Sequence, residues 1–259
     1  MHLTVEITGF LIVVGLVAGF IDSLAGGGGL LTLPALMAVG IPPVSALGTN
    51  KLQSAFGTGG AVLAFAHNGH LDLRRFALPV LAALTGSAAG AFTVQRLDPT
   101  FLSAFVPVLL VAMAIYYLVA PKMGEADRHS RIGLPGLVLL SGVIGFYDGF
   151  FGPGTGSFLT TALVALVGLG LVRAMAHARL LNFATNIAAL ATMVAAGKVI
   201  WLAGLAMACG SIAGNQVGAH TAMRFRGRGV RPLLVVMSLA LTVKLLANPA
   251  NPLRLWLGW

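Results

Sequence analysis

Charged side chains are scarce in this chain. Only 9% of its 259 residues are charged and 58% are hydrophobic, whereas ordinary soluble domains carry about 25% charge. Apolar runs of roughly 17–25 residues recur along the sequence, each long enough to cross a hydrocarbon core of about 30 Å. The runs are continuous rather than alternating, which disfavours a transmembrane β-barrel. The sequence therefore predicts an all-α polytopic membrane protein, a multi-pass protein of the inner-membrane type.

Cysteine is also scarce, and the common metal-ligand motifs are missing. The single cysteine, Cys209, lies in an apolar stretch, so there is no disulfide framework. The sequence contains no HExxH, no CxxC and no Walker-type GxxxxGKS/T motif. We therefore expect no enzymatic activity, no metal or other cofactor, and no ATP-driven pumping by this chain. The net charge of +9 does not indicate nucleic acid binding, because the basic residues lie in short loops between apolar runs, where they set membrane orientation.

Glycine, by contrast, is abundant, and many of the glycines lie in a sequence motif that occurs twice, called the glycine phrase below. The sequence reads GFIDSLAGGGG at residues 19–29 and GFYDGFFGPGTG at residues 145–156. Each copy has an apolar stretch, a single aspartate, a glycine-rich break and further apolar residues. In so hydrophobic a chain the phrase indicates a helix broken inside the membrane, and a duplicated broken helix is typical of a transport site.

The similarity between the two halves extends beyond the glycine phrases. Residues 49–69 match residues 177–197. This match places Lys51 on Arg179, a basic residue on a basic residue. We predict an internal duplication with three parts, which are a first transmembrane repeat at 1–120, a polar linker at 121–133 and a second transmembrane repeat at 134–259.

Each repeat is expected to contain four membrane helices, about eight in all. The predicted spans are 6–24, 44–67, 75–96, 100–120, 134–151, 172–196, 199–222 and 231–248. Two shorter apolar pieces, 29–40 and 156–170, follow the glycine breaks and are expected to be broken or re-entrant segments. An even number of spans per half makes the repeats parallel, whereas a short piece that crosses the membrane makes them inverted. The sequence leaves both arrangements open.

Basic loops give an expectation for orientation. The loop RFRGRGVR at residues 224–231 has four arginines and no acid, which predicts that it is cytoplasmic and that both termini face outward. Eight spans would place Arg173 and Arg96 on the same side as this loop. Arg74 and Arg75 would then lie on the opposite side. We retain the first apolar run as mature structure, because it lacks a basic flank and a cleavage site.

Asp22 and Asp148, one in each glycine phrase, have two interpretations. An aspartate in hydrocarbon costs several kcal/mol, so it marks a function and needs a partner. The functional interpretation is proton coupling or substrate contact. The structural interpretation is a cap on the amides of the helix that begins after the break. The equivalence of the two positions does not separate these alternatives.

The glycines and the matched cations are the candidates for anion binding. Gly27, Gly28 and Gly154 either allow close packing and hinging or expose amides that form a concavity for an anion. Lys51 and Arg179 either extend to the membrane interface as helix-end anchors or meet near the repeat axis to hold an anion.

Four further residues complete the predicted substrate site. Asn50 and Gln53 surround Lys51 in the sequence, and Asn182 follows Arg179 on the matching helix. Tyr147, beside Asp148, either lines the site or packs in the helix bundle.

These motifs resemble those of the TauE/SafE family of sulfite exporters, which includes YfcA-like permeases. The resemblance covers the whole chain, with ALGTNKLQSAFGT behind the first glycine phrase and HARLLNFATN behind the second. It implies transport of a small sulfur-containing or organic anion, such as sulfite, sulfoacetate or a related sulfonate. It also places the family's polar half-motifs on Asn50, Lys51 and Gln53, and on Arg179 and Asn182.

The first functional hypothesis is a secondary transporter that exports such an anion by alternating access between two repeats, with proton coupling through Asp22 or Asp148 left open. The alternative is an anion channel with a continuous polar pore. The expected partners are the small anionic substrate and the lipid bilayer, and a homodimer is left open. The substrate, the direction of transport and the coupling ion are not determined by the sequence.

Overall fold

The structure, a computed structural model, describes residues 4–119, 129–225 and 243. The helices of this part are α1 (Val5–Ala25), α2 (Gly29–Ala38), α3 (Pro43–His67), α4 (Leu73–Val94), α5 (Pro99–Val119), α6 (Leu134–Phe150), α7 (Thr155–Ala165), α8 (Leu171–Ala195) and α9 (Trp201–Phe225). No strand occurs in these ranges, so the prediction of an all-α protein is confirmed. The span predicted at 231–248, apart from residue 243, lies outside the described residues, as do linker residues 121–128 and residues 226–231 of the basic loop.

Three of the described helices are long and apolar enough to cross a membrane. They cover Val5–Ser23, Leu73–Val94 and Leu171–Ala195. Helix α3 is as long as α8, with 25 residues, but it carries the polar run from Thr49 to Ser54, which lowers its hydropathy. Helix α3, which carries predicted site residues, is therefore not among the three membrane-length apolar helices.

Glycines end the first helix of each half at the predicted breaks. Helix α1 stops where Gly26 adopts a φ of 75° and donates its N–H to the Asp22 carbonyl over 2.6 Å. After α6, Gly152 and Gly154 have φ values of 98° and 86°. These are left-handed conformations that residues with a side chain rarely adopt. The short helices α2 and α7 follow, with 10 and 11 residues, about half the length that a membrane crossing requires.

Helix α1 packs directly along α9, and the two run in the same direction. A Cβ on Gly15 would collide with the Met207 carbonyl, and one on Gly19 with the Ser211 carbonyl. From the other side, Gly214 meets the backbone of α1. Because the residue numbers of the contacts increase together along both helices, the pair is parallel. Glycine has no side chain, so the two backbones can touch at these positions.

Helices α4 and α6 form an equivalent pair. Gly86 approaches the Gly142 carbonyl, and Gly90 approaches that of Phe146. Gly149 approaches the Ser87 carbonyl from the other side. These contacts also advance together, so α4 and α6 are parallel. Each half of the chain therefore places its first helix against the fourth helix of the other half.

The long helices α3 and α8 cross at the centre in opposite directions. Gly48 lies against Met193, whereas Gly59, farther along α3, lies against Phe183, earlier in α8. Helix α9 runs parallel to α3, because Gly48 and Gly57 face Lys198 and Ser211. Helices α1, α3 and α9 thus share one direction.

Helices α4, α6 and α8 share the opposite direction. Phe76 stacks on His177 with ring centroids 4.0 Å apart, and Ser87 Oγ donates to the Thr185 carbonyl over 2.7 Å. Residues 72–76 therefore lie beside the first turns of α8. The expectation that Arg173 lies on the side opposite to Arg74 and Arg75 is wrong. The expectation assumed that the chain reverses its direction only through the long apolar runs. It did not allow for a reversal at the short helices α2 and α7.

Candidate functional site

Lys51 of α3 forms an ion pair with Asp148 of α6. The Lys51 Nζ lies 2.8 Å from Asp148 Oδ2, and the two side chains are 1% and 2% exposed. Despite this short distance, Asp148 Oδ2 makes no hydrogen bond with any residue that the structure describes. Lys51 also donates to Asn186 Oδ1 over 3.3 Å. A lysine so deeply buried is not a helix-end anchor at the membrane interface.

Arg179 of α8 forms the matching ion pair with Asp22 of α1. The Arg179 Nη1 donates to Asp22 Oδ2 over 2.7 Å, and Nη2 donates to the Asp22 backbone carbonyl. The Arg179 side chain is 1% exposed, and that of Asp22 is 17% exposed. The Arg179 Nε is buried, and no described residue accepts a hydrogen bond from it. The second predicted cation is therefore also internal.

The two ion pairs are crossed between the halves of the chain. Asp22 in the first glycine phrase meets Arg179 in the second half, and Lys51 in the first half meets the aspartate of the second phrase. The sequence pointed to both carboxylates and both cations but assigned them separate roles. The structure brings all four together at the two breaks. With two positive and two negative groups, the site carries no net charge.

A small polar cavity lies between the two breaks. Its volume is about 20 Å³, which is about the space that one water molecule needs. It is lined by Asp22, Gly26, Gly29, Asn50, Lys51, Ser54, Asp148, Gly152, Thr155, Gly156, Asn182 and Asn186. Both halves and both short helices contribute to it. The predicted residues Asn50 and Asn182 are among them, so the structure brings these two asparagines to the same cavity.

The asparagines present amide groups beside the ion pairs. Asn50 Oδ1 accepts a hydrogen bond from Thr32 Oγ1, which fixes its orientation against α2. Asn186, which the sequence interpretation did not select, holds Lys51. It lies four residues after Asn182 and therefore on the same face of α8. That spacing was the available indication of its role.

The glycine breaks bring backbone close to the charged side chains. The Gly28 N–H donates to Asp22 Oδ1 over 3.3 Å, so this aspartate caps the turn that leads into α2 while it binds the arginine. A Cβ on Gly156 would lie 2.8 Å from Arg179 Nη2, and one on Gly152 would lie 2.8 Å from Lys51 Nζ. Gly152 and Gly156 thus make room for the cations. Gly27 and Gly154 lie in the same breaks but do not line the cavity.

Gln53 and Tyr147 are not brought to the cavity. The Gln53 Nε2 donates to Ser211 Oγ of α9, within a polar cluster that also contains Ser23 and Asn215. Tyr147 donates its hydroxyl to the Pro153 carbonyl over 2.6 Å, and its ring packs against Phe158. Within the described part of the chain, Gln53 therefore contributes to helix packing and Tyr147 to the shape of the second break.

Comparisons with known proteins point to a family of membrane transporters. Residues 11–245 match the family described as sulfite exporter TauE/SafE. The chain is 45% identical over 258 residues to a probable membrane transporter protein, ORF9, of a Sinorhizobium species, and the match covers 99% of this chain and 98% of that protein. It is 42% identical over 252 residues to the probable membrane transporter protein YfcA of Escherichia coli K12, covering 96% and 94% of the two chains. No solved structure matches.

Proposed function

Because the chain belongs to the TauE/SafE sulfite exporter family, a family of multi-pass membrane transporters and not of enzymes, we propose that it is a secondary transporter of a small sulfur-containing or organic anion. Sulfite, sulfoacetate and related sulfonates are the candidate substrates, the membrane is a bacterial inner membrane, and the direction is export. The observation that carries the proposal is the pair of crossed ion pairs around a buried polar cavity. Homodimer formation stays a prediction from the sequence.

The geometry supports an anion as the transported species. Lys51 and Arg179 each hold a carboxylate, so each is already bound to an anionic group of the size of a sulfonate or sulfite head. Arginine can engage such a group through two parallel hydrogen bonds, whereas lysine acts as a point charge. The cavity of about 20 Å³ is too small for a further oxyanion. The substrate therefore takes the place of a carboxylate rather than an empty space.

Charge balance then supports proton coupling. The site is neutral, so a monovalent anion adds an uncompensated charge in a medium where such charges are costly. Protonation of the displaced carboxylate, from COO⁻ to COOH with a proton from water, restores neutrality. Arg179 is the ionisable group that faces Asp22 in the described structure, and Lys51 is the one that faces Asp148. One proton accompanies each negative charge, and transport is electroneutral.

The opposed directions of α3 and α8 support inverted repeats at 1–120 and 134–259. The parallel pairs α1 with α9 and α6 with α4 correspond to each other under an exchange of the two halves. Helix α2 leads from the first break back to the side of the bundle where α1 begins. Helix α7 leads from the second break back to the opposite side, where α6 begins. In this arrangement the halves rock about a fixed central site and give alternating access. Closure of the cavity by two ion pairs favours a carrier over a continuous pore.

Positive charge supports an orientation. Arg74, Arg75, Arg131 and Arg173 lie at the end of the bundle where α4, α6 and α8 begin. Arg96 and Lys198 lie at the opposite end, where α4 and α8 stop. Because basic loops face the cytoplasm, the arginine-rich end is the cytoplasmic end. The first described residues of the chain then face outward, as the basic loop at 224–231 predicted.

The test is transport by purified protein in liposomes loaded with radiolabelled sulfite, sulfoacetate or taurine. We expect exchange of internal for external anion, without net current, for at least one of the first two. A single-channel current would establish a pore instead. Absence of exchange for all three by correctly folded protein would contradict the proposal.

Variants separate the roles of the four charged residues. We expect Lys51→Ala and Arg179→Ala to abolish flux, and Lys198→Ala, at an exposed lysine, to leave it unchanged. Asp22→Asn and Asp148→Asn should alter the pH dependence of flux. If both asparagine variants keep the wild-type pH profile, proton coupling is excluded while anion transport stands.

A further inference from the structure

A second, larger cavity, separate from the central site, lies at the arginine-rich end of the bundle. Its volume is about 360 Å³, within the range of roughly 300–1,000 Å³ that is usual for small-molecule sites. The cavity lies between the first turns of α4 and α6. Its lining includes Arg74, Arg75, Leu78, Gly133 and Leu134. None of these residues contributes to the crossed ion pairs or to the cavity between the breaks.

Among the residues that the structure describes, no acidic side chain pairs with the arginines of this cavity, Arg74 and Arg75. The nearby Asp72 uses Oδ1 to accept the Arg75 backbone N–H over 3.0 Å, as the cap of α4. Helix α6 begins after Gly133 without a side-chain cap. Two arginines and the first residues of α6 therefore border the same space.

The apolar wall of the cavity continues toward the membrane interior. Arg74 lies in the first turn of a membrane-length helix, which is the level of lipid headgroups. Leu78 lies one turn deeper, about 6 Å along the axis, and is 53% exposed. Leu134 at the start of α6 is 46% exposed. A ligand here meets cations at the headgroup level and exposed leucines below them.

We propose that this cavity binds the headgroup phosphate of an anionic phospholipid, with the start of an acyl chain along Leu78 and Leu134. Guanidinium groups match phosphate oxygens with paired hydrogen bonds. Basic pockets between membrane helices on the cytoplasmic side suit anionic headgroups, which are concentrated in that leaflet. A soluble anion would use the arginines but would gain nothing from the two exposed leucines. The lipid therefore fits both parts of the cavity.

The experiment measures lipid retention by the full chain. Native mass spectrometry of purified wild-type protein, mixed with equal amounts of phosphatidylglycerol and phosphatidylcholine, should show preferential retention of phosphatidylglycerol. Arg74→Gln and Arg75→Gln should each lower the affinity for phosphatidylglycerol about fivefold, given the usual contribution of a basic residue near an anionic surface. Arg96→Gln is the matched control, because this arginine lies at the other end of α4.

Three results would overturn the proposal. Equal retention of the two lipids by wild-type protein would do so without any variant. A loss of phosphatidylglycerol in Arg96→Gln as large as in the Arg74 and Arg75 variants would show a general charge effect. A rise in melting temperature with inorganic phosphate that equals the rise with phosphatidylglycerol would assign the cavity to a soluble anion. Each readout is independent of transport, so a failure of the proposed transport function leaves it interpretable.

Discussion

The sharpest test of the crossed ion pairs is to remove one charge and then both charges of the Lys51–Asp148 pair. Lys51→Met keeps a side chain of similar length but leaves the Asp148 carboxylate, 2% exposed, without its cation. Removing one partner of a buried ion pair costs about 3–5 kcal/mol, chiefly because the remaining charge is desolvated. We expect Asp148→Asn, which leaves the lysine without its counter-charge, to destabilise the protein by a similar amount.

The double variant Lys51→Met, Asp148→Asn removes both charges and should recover most of that stability, because no isolated charge remains. The loss in the double variant should therefore be much smaller than the sum of the two single losses, which is the mark of direct coupling. Transport should stay absent in the double variant, because the cation that holds the anion is gone. Stability and flux thus separate the structural role of the pair from its functional role.

The assay is thermal unfolding of the purified variants in one detergent, followed by intrinsic fluorescence. For a chain of this size, about 1 kcal/mol corresponds to roughly 2–4 °C, so each single variant should melt roughly 6–20 °C below wild type. Lys198→Met is the control, because this lysine is exposed, and it should melt like wild type. Single variants that melt within about 1 °C of wild type, or a double variant whose loss equals the sum, would refute the reasoning.

Three other variants, two of them paired with a control variant, test the glycine contacts and the Arg179 guanidinium. Gly86→Ala places a Cβ against the Gly142 carbonyl and should cost about 1–3 kcal/mol in thermal unfolding, whereas Gly142→Ala, whose Cβ lies 3.6 Å from its nearest neighbour, should be neutral. Gly152→Ala should lower flux because its Cβ would lie 2.8 Å from the Lys51 ammonium, whereas Gly197→Ala, also at positive φ but in open space, should lower stability alone. Arg179→Lys should keep the fold and weaken substrate affinity in a binding assay, because the charge remains and the paired hydrogen bonds are lost.

Local features of the sequence were sufficient to predict the helices and their breaks. The apolar runs are bounded by glycine, proline or polar residues, so the predicted spans agree with the described helices to within a few residues. The break after α1 was predictable because Gly26 and its neighbours favour conformations that end a helix. Membrane insertion adds a strong constraint, since a backbone in hydrocarbon must be helical or covered by protein.

The partners of the charged residues could not be read from local features. Aligning the halves placed Lys51 on Arg179, which suggested that the two cations meet each other, whereas each one meets the aspartate of the opposite half. That pairing depends on how the halves pack. Gln53 could have been excluded, because two positions along a helix turn a side chain by about 200° away from Lys51. It faces α9 instead.

Crossed pairing makes neither half of the chain self-sufficient. Each half supplies one carboxylate and one cation, and both of their partners belong to the other half. A fragment that ends at the linker would insert two unmatched charges into lipid, together with glycine surfaces shaped for absent helices. The two halves should therefore be stable only when produced together. During biosynthesis the first half has to stay incompletely folded until the second half has been made.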